Sequence, residues 1–505
     1  MNNHQRILKR INLARILPLF LIIVWGLGLR FLDLNDPPLD FTAWRQLRSA
    51  TITRGMYYDM LPDNGTPQQS LAISLGKSFE KLEPEIFERI VALSYLLIGK
   101  EILPIARVWA IIFWLIGGLF LYDLAKRITS SAAALVSLSI FMVLPFAVTV
   151  SRSFLPDVFM TMWIIIASYC LFRWTEHHTW KWAFISGVTA GLAILSKVFA
   201  VFPISFALIF VVFSTWKPQF VIRDRQVWLV GAITLLVPAS YYLIQTLDQA
   251  GDYLAGWVFA FSDLQITRGF YTQWMDVLDR LVGFLLICLG LIGTWISPRR
   301  SRMLLIGLWI GYLMVGLSVP SLIFSHTYYN TQLIPILSLS LAPFAELVIE
   351  RAKQQSNISK AALICISLIA LGYLSLQSYR ELKSRDYREE IKGWIQMGNQ
   401  IPADSRLIGL THDYNNRLAY YGWRDVAQWP HLSDYEMLSL AGGNYDPKDK
   451  SVLEEFKRRT QGYDYFIVTL FMELDSQAML KTLLQENYPS ISGEGFILYD
   501  LREMK

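Results

Sequence analysis

Apolar runs of about twenty residues recur along this chain from Leu17 to Leu374 and then stop. An α-helix needs a run of that length to cross the roughly 30 Å hydrocarbon core of a bilayer. With 53% apolar residues, only 17% charged residues and a mean hydropathy of +0.35, the chain cannot be an ordinary soluble protein. The pattern predicts a multi-span membrane protein.

We predict about eleven membrane-spanning helices. Their centres fall near residues 20, 115, 140, 166, 190, 206, 237, 287, 311, 340 and 369. Lys and Arg gather in alternate short connections, for example at Lys126, Arg127, Arg299 and Arg300, and this favours a cytoplasmic position for that set. Such basic residues on the cytoplasmic side explain the net charge of +5, and no nucleic-acid partner is expected. The N-terminus is thus predicted to be cytoplasmic, while segments 31–103 and 247–276 and the tail after residue 379 lie outside.

Two domains are predicted, a membrane domain at residues 1–378 and a tail at residues 379–505. The first outer loop, residues 31–103, contains a short apolar stretch at 90–99, which predicts a helix lying in the membrane interface. Helix and strand patterns alternate in the tail, which indicates a small α/β layer. Strands are predicted at 406–411, 465–470 and 495–501, and helices at 389–400, 453–460 and 477–485.

The tail also contains an aromatic cluster of Tyr414, Tyr420, Tyr421, Trp423 and Trp429. Such a cluster could form part of the core, which we favour, or a platform for a carbohydrate or another acceptor.

Five connections on the predicted outer side carry polar side chains at a similar depth. They are Asp40, Arg45, Gln46 and Arg48 in the first, Arg152 and Asp157 in the second, Lys197 in the third, Arg268 in the fourth, and His326, Tyr328 and Tyr329 in the fifth. Any one of them could be an interfacial anchor or a helix cap. Together they predict one shared cavity at the outer membrane surface.

Several of these segments resemble a known family. Residues 37–54 (PPLDFTAWRQLRSATITR), 151–157 (SRSFLPD), 195–197 (LSK), 326–330 (HTYYN) and 413–421 (DYNNRLAYY) are similar to the dolichyl-phosphate-mannose protein mannosyltransferase and aminoarabinose transferase group, membrane glycosyltransferases of the GT-C type. The resemblance covers most of the chain. One position departs from it, because Thr42 stands where the bacterial branch commonly has a histidine. The resemblance implies a mainly α, polytopic GT-C fold followed by an extracytoplasmic α/β domain.

The implied activity is transfer of a hexose or pentose from a polyprenyl-phosphate donor to a protein, lipid or cell-surface glycan acceptor, outside the plasma (inner) membrane. Asp40 is then the base and Asp157 the second carboxylate of the site. A single displacement inverts the anomeric centre, whereas a double displacement would need Asp157 as nucleophile; we expect inversion. The candidate ligands of the donor phosphate and sugar are Arg45, Gln46, Arg48, Lys197, His326, Tyr328 and Tyr329.

No cofactor or metal is expected, since the sequence has neither an HExxH motif nor a Cys/His ligand spacing. Asp40 and Asp157 could nevertheless hold a hard divalent cation. A transporter or lipid flippase is the competing function, because it would also use many spans and a polar cavity. Transporters, however, place ionisable groups near the midplane and show internal repeats, and neither feature is clear here. A transferase relative that has lost activity and serves as a scaffold is a third interpretation.

Overall fold

The computed structural model describes residues 13–80, 82–246, 261–435 and 451–505. Residues 1–12 and 247–260, which carry the predicted cytoplasmic start and part of one predicted outer segment, lie outside the described residues. Long helices dominate the described chain as far as Lys383, and a small sheet with flanking helices follows. The predicted class, a mainly α membrane protein with a C-terminal α/β domain, is confirmed.

The described helices of the membrane part are α1 Leu13–Phe31, α2 Ala43–Met60, α3 Pro67–Lys77, α4 Ile86–Ile98, α5 Pro104–Ile128, α6 Ser131–Val143, α7 Pro145–Val150, α8 Pro156–His177, α9 Trp180–Ser196, α10 Val201–Thr215, α11 Pro218–Arg223, α12 Arg225–Thr246, α13 Arg268–Val282, α14 Phe284–Ile296, α15 Arg299–Ser318, α16 Pro320–Ser325, α17 Leu333–Lys353 and α18 Asn357–Lys383. Single 3-10 turns lie at Val198–Ala200, Ser262–Ile266 and Thr327–Asn330.

Seven helices among the described residues are long and apolar enough to cross a membrane, and an eighth is reached if α13 and α14 form one bent span. The predicted number of about eleven is therefore not confirmed. Helices do lie at the other three predicted centres, but they are short. The apolar parts of α1 and α6 are Ile16–Phe31 and Ser131–Val143, and α9 has 17 residues.

Two breaks interrupt apolar runs that were predicted as straight spans. Helix α6 ends before Pro145, whose ring and missing N–H cannot continue the hydrogen-bond ladder, and α7 then leads into the turn that carries Arg152. Helices α13 and α14 meet at an angle of 89° at Gly283. Gly283 has φ +83, a conformation that glycine adopts without steric cost.

The first loop folds into helices α2, α3 and α4. Helices α2 and α3 pack as a hairpin whose closest approach is at Gly55 and Gly76, where a Cβ on either residue would lie 2.8 Å from the Cα of the other. The predicted short apolar helix is α4, which buries Phe87 and Tyr95 and leaves Leu97 exposed. The face of the helical bundle that carries this loop also carries the tail, and we call it the tail side.

The tail contains helices α19 Arg388–Gln400, α20 Asn416–Tyr421, α21 Ser451–Thr460, α22 Phe471–Ser476 and α23 Ala478–Asn487, and strands β1 Leu407–Leu410, β2 Val426–Gln428, β3 Tyr465–Val468, β4 Ser490–Gly493 and β5 Phe496–Asp500. The strand order is β2-β1-β3-β5-β4, with β1 parallel to β2 and β3, and β5 antiparallel to β3 and β4. Three strands and three helices were predicted from the sequence. The short strands β2 and β4 and the single-turn helices were not.

Successive residues of β3 point to opposite faces of the sheet, so the tail has two small cores. Phe466 packs with Trp429 and Phe456 on one face, and Ile467 packs with Trp394 on the other. The sheet is therefore covered on both faces, and its connecting loops remain free to meet the membrane part.

The tail docks on the first loop through buried polar contacts. Arg54 donates to the backbone carbonyl of Tyr420 at 2.6 Å, and its guanidinium lies 3.9 Å from the ring centre of Tyr420 and 4.2 Å from that of Trp423. Glu101 accepts from the Tyr420 hydroxyl at 2.5 Å and pairs with Arg54 at 3.0 Å. We call Arg54, Glu101, Tyr420 and Trp423 the tail latch.

Candidate functional site

Asp40 lies in the turn between α1 and α2, in a backbone shaped by its neighbours. Pro37 and Pro38 restrict the chain before it. Thr42, which caps α2, has φ +47 and ψ +56, a left-handed conformation that is rare for a β-branched residue. Such strain persists only where the surrounding structure imposes it, and it clusters at functional segments.

The ion-pair partner of Asp40 is Arg107, from the first turn of α5. Arg107 Nη2 lies 3.2 Å from Asp40 Oδ1. The same guanidinium donates to the carbonyls of Leu34 at 3.2 Å and Pro37 at 3.4 Å. The Arg107 side chain is buried, whereas that of Asp40 keeps 25% of its surface exposed. A carboxylate that is fixed in place and yet accessible has the geometry of a general base.

The arginines predicted beside Asp40 point elsewhere. Arg45 forms a buried ion pair with Glu83. Arg48 donates to the carbonyl of Glu80, and its guanidinium lies 5.4 Å from the ring centre of Phe79. Both lie on α2, which turns this face toward Phe79, Glu80 and Glu83, whereas Asp40 precedes the helix.

Gln46 serves as a brace between two segments of the site. Its side-chain oxygen accepts from the backbone N–H of Phe154 at 2.9 Å, and its side-chain nitrogen donates to the carbonyl of Phe41 at 2.6 Å. The amide is fully buried and its polar atoms are bonded within the protein. Gln46 therefore holds residues 37–46 against residues 151–157.

A second group of predicted residues gathers around Lys197. Its Nζ lies 2.8 Å from Asp157 Oδ1, with both side chains buried. The same ammonium lies 4.8 Å from the ring centre of Tyr328 and 4.4 Å from that of Tyr329. We call Asp157, Lys197, His326, Tyr328 and Tyr329 the Lys197 cluster. The prediction that distant connections meet in one place holds for these residues.

Two buried polar atoms beside this cluster have no hydrogen-bond partner among the described residues. They are Asp157 Oδ2 and Arg45 Nη1. Arg45 is also within electrostatic range of Lys197. Buried polar groups are almost always bonded, so these two atoms are available to bond a ligand or water at this cluster.

His326 is held between the Lys197 cluster and the first loop. Its Nδ1 lies 2.8 Å from the Ser325 hydroxyl, and its ring meets the Trp44 ring edge to face at 6.0 Å. Burial, with a smaller contribution from Lys197, lowers the pKa of His326 to about 4. The imidazole is therefore neutral near pH 7, with one donor and one acceptor nitrogen.

Other charged residues divide between the site and the surface. Arg152 is buried and donates to the carbonyls of Leu32 at 2.6 Å and Asp33 at 2.8 Å. Glu381, near the end of α18, lies within electrostatic range of Asp40. Arg268 is exposed at the start of α13, and no contact in the described ranges joins it to the Lys197 cluster. Its predicted share in the common cavity is thus not observed.

The aromatic cluster of the tail has two roles. Trp429 is fully buried in the core of the sheet, as we favoured. Tyr414 instead meets Trp44 edge to face at 6.0 Å, which links the tail to His326 through one indole ring. Tyr420, Tyr421 and Trp423 face the first loop. Most of the cluster therefore lies at the junction between the tail and the membrane part.

Arg107 is the functional candidate that the sequence analysis missed. It stands in an apolar run, where a charge is costly to bury and usually has a specific partner. That signal was present, but the partner is 67 positions away along the chain. In the part of the chain that the structure describes, no three His, Cys, Asp or Glu side chains gather as metal ligands.

Comparison with known proteins gives a family match over part of the chain. Residues 83–244 match the family model described as dolichyl-phosphate-mannose-protein mannosyltransferase. This segment contains Arg107, Arg152, Asp157 and Lys197, and it begins after Asp40. No curated protein sequence matches the chain.

Solved structures match almost the whole chain. ArnT from Cupriavidus metallidurans bound to undecaprenyl phosphate superposes with a TM-score of 0.60 at 13% identity, covering 95% of this chain and 97% of that chain. The archaeal oligosaccharyltransferase AglB from Archaeoglobus fulgidus, in complex with an inhibitory peptide and a dolichol-phosphate, gives 0.61 at 14% identity, with 96% and 74% covered.

The fold is therefore that of the GT-C type membrane glycosyltransferases, and the predicted resemblance to the mannosyltransferase and aminoarabinose transferase group is confirmed. The protein is a multi-pass membrane protein. At 13% and 14% identity, these matches establish the fold alone.

Proposed function

We propose that the protein transfers a hexosyl or pentosyl group from a polyprenyl-phosphate donor to a hydroxyl or amine of an acceptor. The tail side would be the extracytoplasmic side of the plasma (inner) membrane, and the N-terminus would be cytoplasmic. The observation that carries the proposal is the pair of hydrogen bonds by which Gln46 holds Phe41, next to the accessible carboxylate of Asp40, to Phe154, three residues before Asp157 of the Lys197 cluster. Complexes of the two structural neighbours with undecaprenyl phosphate and dolichol-phosphate support the donor class.

The donor phosphate is assigned to the Lys197 cluster. Lys197 and Arg45, whose Nη1 has no hydrogen-bond partner in the described ranges, supply positive charge, and Asp157 fixes the position of the ammonium. Neutral His326 and the two tyrosines offer hydrogen bonds to the phosphate or sugar. Arg48 and Gln46 were predicted as further ligands, but their polar atoms bind protein groups. We assign them a supporting role.

Asp40 is assigned as the base. It takes the proton from the acceptor nucleophile as that atom bonds to the anomeric carbon, while the bond from this carbon to the phosphate oxygen breaks. The electron pair leaves with the polyprenyl phosphate, whose charge Lys197 and Arg45 stabilise. The Asp157 side chain is 1% exposed and paired with Lys197, whereas that of Asp40 is 25% exposed, and this argues against Asp157 as a nucleophile. One displacement inverts the anomeric centre.

Purified protein in lipid nanodiscs tests both assignments. Binding of undecaprenyl phosphate is measured first, and then transfer from radiolabelled polyprenyl-phosphate sugars to a membrane extract. Asp40→Asn should lower transfer by about 100-fold or more with unchanged lipid binding, since a positioned base contributes that much. The double variant Asp157→Asn with Lys197→Gln removes both charges of the buried pair, so neither is left unpaired. It should weaken lipid binding about tenfold.

The matched control is Asp59→Asn with Lys77→Gln, which removes an exposed ion pair of the same loop. It should leave binding and transfer unchanged. Undiminished transfer by Asp40→Asn would remove this residue from the base role. We also propose that no metal takes part, so transfer should persist in EDTA.

A further inference from the structure

A cavity of about 410 Å³ separates the first loop and the start of α5 from the tail. This volume lies within the range of roughly 300–1,000 Å³ that holds small-molecule ligands. Its walls include Asp36, Gln46 and Arg107 from the membrane part, the four latch residues, and Tyr421 with Ile391 and Ile395 from the tail. Arg107 also pairs with Asp40, so the cavity ends one side chain away from the proposed base.

The charges of the walls cancel. Arg54 is paired with Glu101, and Arg107 is paired with Asp40. Asp36 is paired with Arg388 at 3.6 Å, and burial raises the pKa of this carboxyl.

Both Nη atoms of Arg54 and of Arg107 are bonded to protein groups, whereas Arg45 Nη1, near Lys197, has no hydrogen-bond partner among the described residues. A phosphate would therefore gain less here than at the Lys197 cluster. The charge balance favours a neutral polar ligand.

A peptide is disfavoured for a different reason. Peptides are commonly held through their main chain, which needs free backbone donors and acceptors in the wall. The loop wall offers few, because Arg107 occupies the carbonyls of Leu34 and Pro37, and Gln46 lies against that of Pro38. Pro37 and Pro38 also lack an N–H.

The remaining wall chemistry combines flat apolar faces with polar edges. Pro37, Pro38, Ile391 and Ile395 provide apolar surface. Trp423 lines the same wall with one ring face covered by Arg54, and its backbone has φ +53, a strained left-handed conformation. Tyr421 adds a buried hydroxyl that has no hydrogen-bond partner among the described residues. Sugar rings present C–H faces and hydroxyl edges, and aromatic side chains with a polar tip match both.

We propose that this cavity binds a sugar ring of a saccharide acceptor and directs one of its hydroxyls toward Asp40. The proposal rests on the function proposed above, because it names the acceptor class of that site. It also places acceptor recognition on the tail, while the donor phosphate is held by the membrane helices.

Saccharide binding can be measured without any donor, by saturation-transfer NMR on the full-length protein in nanodiscs. The probes are a panel of methyl glycosides and disaccharides, a threonine-containing hexapeptide and inorganic phosphate. Ile395 lines the cavity from the exposed face of α19, so Ile395→Trp should fill the cavity without disturbing a core. Ile491→Trp, at an exposed position of β4, is the matched control.

At least one saccharide should give a signal with wild type and Ile491→Trp and none with Ile395→Trp. Tyr421→Phe should weaken its binding about fivefold, the value of one hydrogen bond. A signal that survives Ile395→Trp, the absence of any saccharide signal, or a signal from the hexapeptide that Ile395→Trp alone removes would each overturn the proposal. Loss of donor-dependent transfer on its own would instead concern the proposed function.

Discussion

Arg107 links the backbone of the first loop to the proposed base. Its guanidinium donates to two backbone carbonyls and to the Asp40 carboxylate, so it fixes both the turn before α2 and the orientation of Asp40. The residue acts through Asp40 and is a positioning residue. A lysine keeps the charge but cannot reproduce three bonds from a planar fork.

Replacing Arg107 should therefore affect turnover more than binding. We expect Arg107→Gln to lower kcat by about 100-fold. Arg107→Lys should have a kcat about tenfold above that of Arg107→Gln, because it keeps the charge that holds the base in place. Donor KM should change less than about threefold, since misplacing the base leaves ground-state donor contacts intact. Steady-state kinetics of transfer make the measurement. A change confined to KM would contradict the positioning role.

The lowered pKa of His326 predicts how the stability of the fold depends on pH. Its pKa is lowered to about 4 in the folded protein, from an ordinary value near 6.5. Between these values the unfolded chain binds the proton and the folded protein does not, so acidification favours unfolding. The melting temperature of wild type should fall relative to that of His326→Gln as the pH drops from 6.5 to 4. A constant difference between the two across this range would rule out this contribution.

The predictability of the site differs from residue to residue. Lys197, Asp157 and Tyr328 could be predicted, because polar groups at similar membrane depths in separate connections indicate that these connections line one cavity. Arg45 and Arg48 were placed beside Asp40 because they are near it in sequence, but the rotation of α2 gave them Glu83 and Glu80 as partners. Such pairings depend on tertiary packing, which local sequence does not encode.

At the scale of elements, the hairpin of α2 and α3 supports the whole first loop. Its helices approach so closely at Gly55 and Gly76 that only backbone atoms meet. A side chain at either position would push the helices apart and disturb Arg45 and Gln46 on the first turn of α2. The glycines therefore set the distance between α2 and α3.

Gly76→Ala should destabilise this hairpin. The new Cβ would lie 2.8 Å from the Cα of Gly55, which cannot move aside as a side chain can. Overpacking of this kind costs about 1–3 kcal/mol, so the melting temperature should fall by a few degrees. Gly372→Ala, on a helix with open space at that position, is the control and should change little. Equal melting temperatures for both variants would show that the hairpin can relax.

Sequence patterns located the helices better than their bends. Apolar runs gave a centre for each membrane helix, because burial in lipid acts on every residue of a run. The break at Pro145 and the bend at Gly283 reduce the number of straight spans. Proline and glycine permit such bends, but packing against neighbouring helices decides whether they occur.

At the scale of the whole molecule, the tail latch joins two parts with different physical environments. Arg54 bonds to Glu101 on one side and to the Tyr420 carbonyl on the other, with its guanidinium against two aromatic rings. Lys383 and Arg388 add a second contact, to Asp33. The alternation of helices and strands predicted the tail sheet, but its docking could not be inferred from the sequence.

Arg54→Gln should loosen this junction. Loss of charged hydrogen bonds worth about 1.5–3 kcal/mol each should speed amide exchange in residues 416–423 by at least about tenfold. Hydrogen exchange with mass spectrometry provides the measurement. Arg458→Gln, which removes an exposed ion pair within the tail, is the control and should leave these residues unchanged. Unaltered exchange in Arg54→Gln would mean that other contacts hold the tail.

The division of the 410 Å³ cavity between two parts of the chain has an evolutionary consequence. Substitutions in α19 or around Trp423 can remodel one wall without touching the helices that surround Lys197. Relatives could thus diversify the molecules they modify while keeping a common lipid carrier, and chimaeras that exchange this module would inherit their selectivity from it.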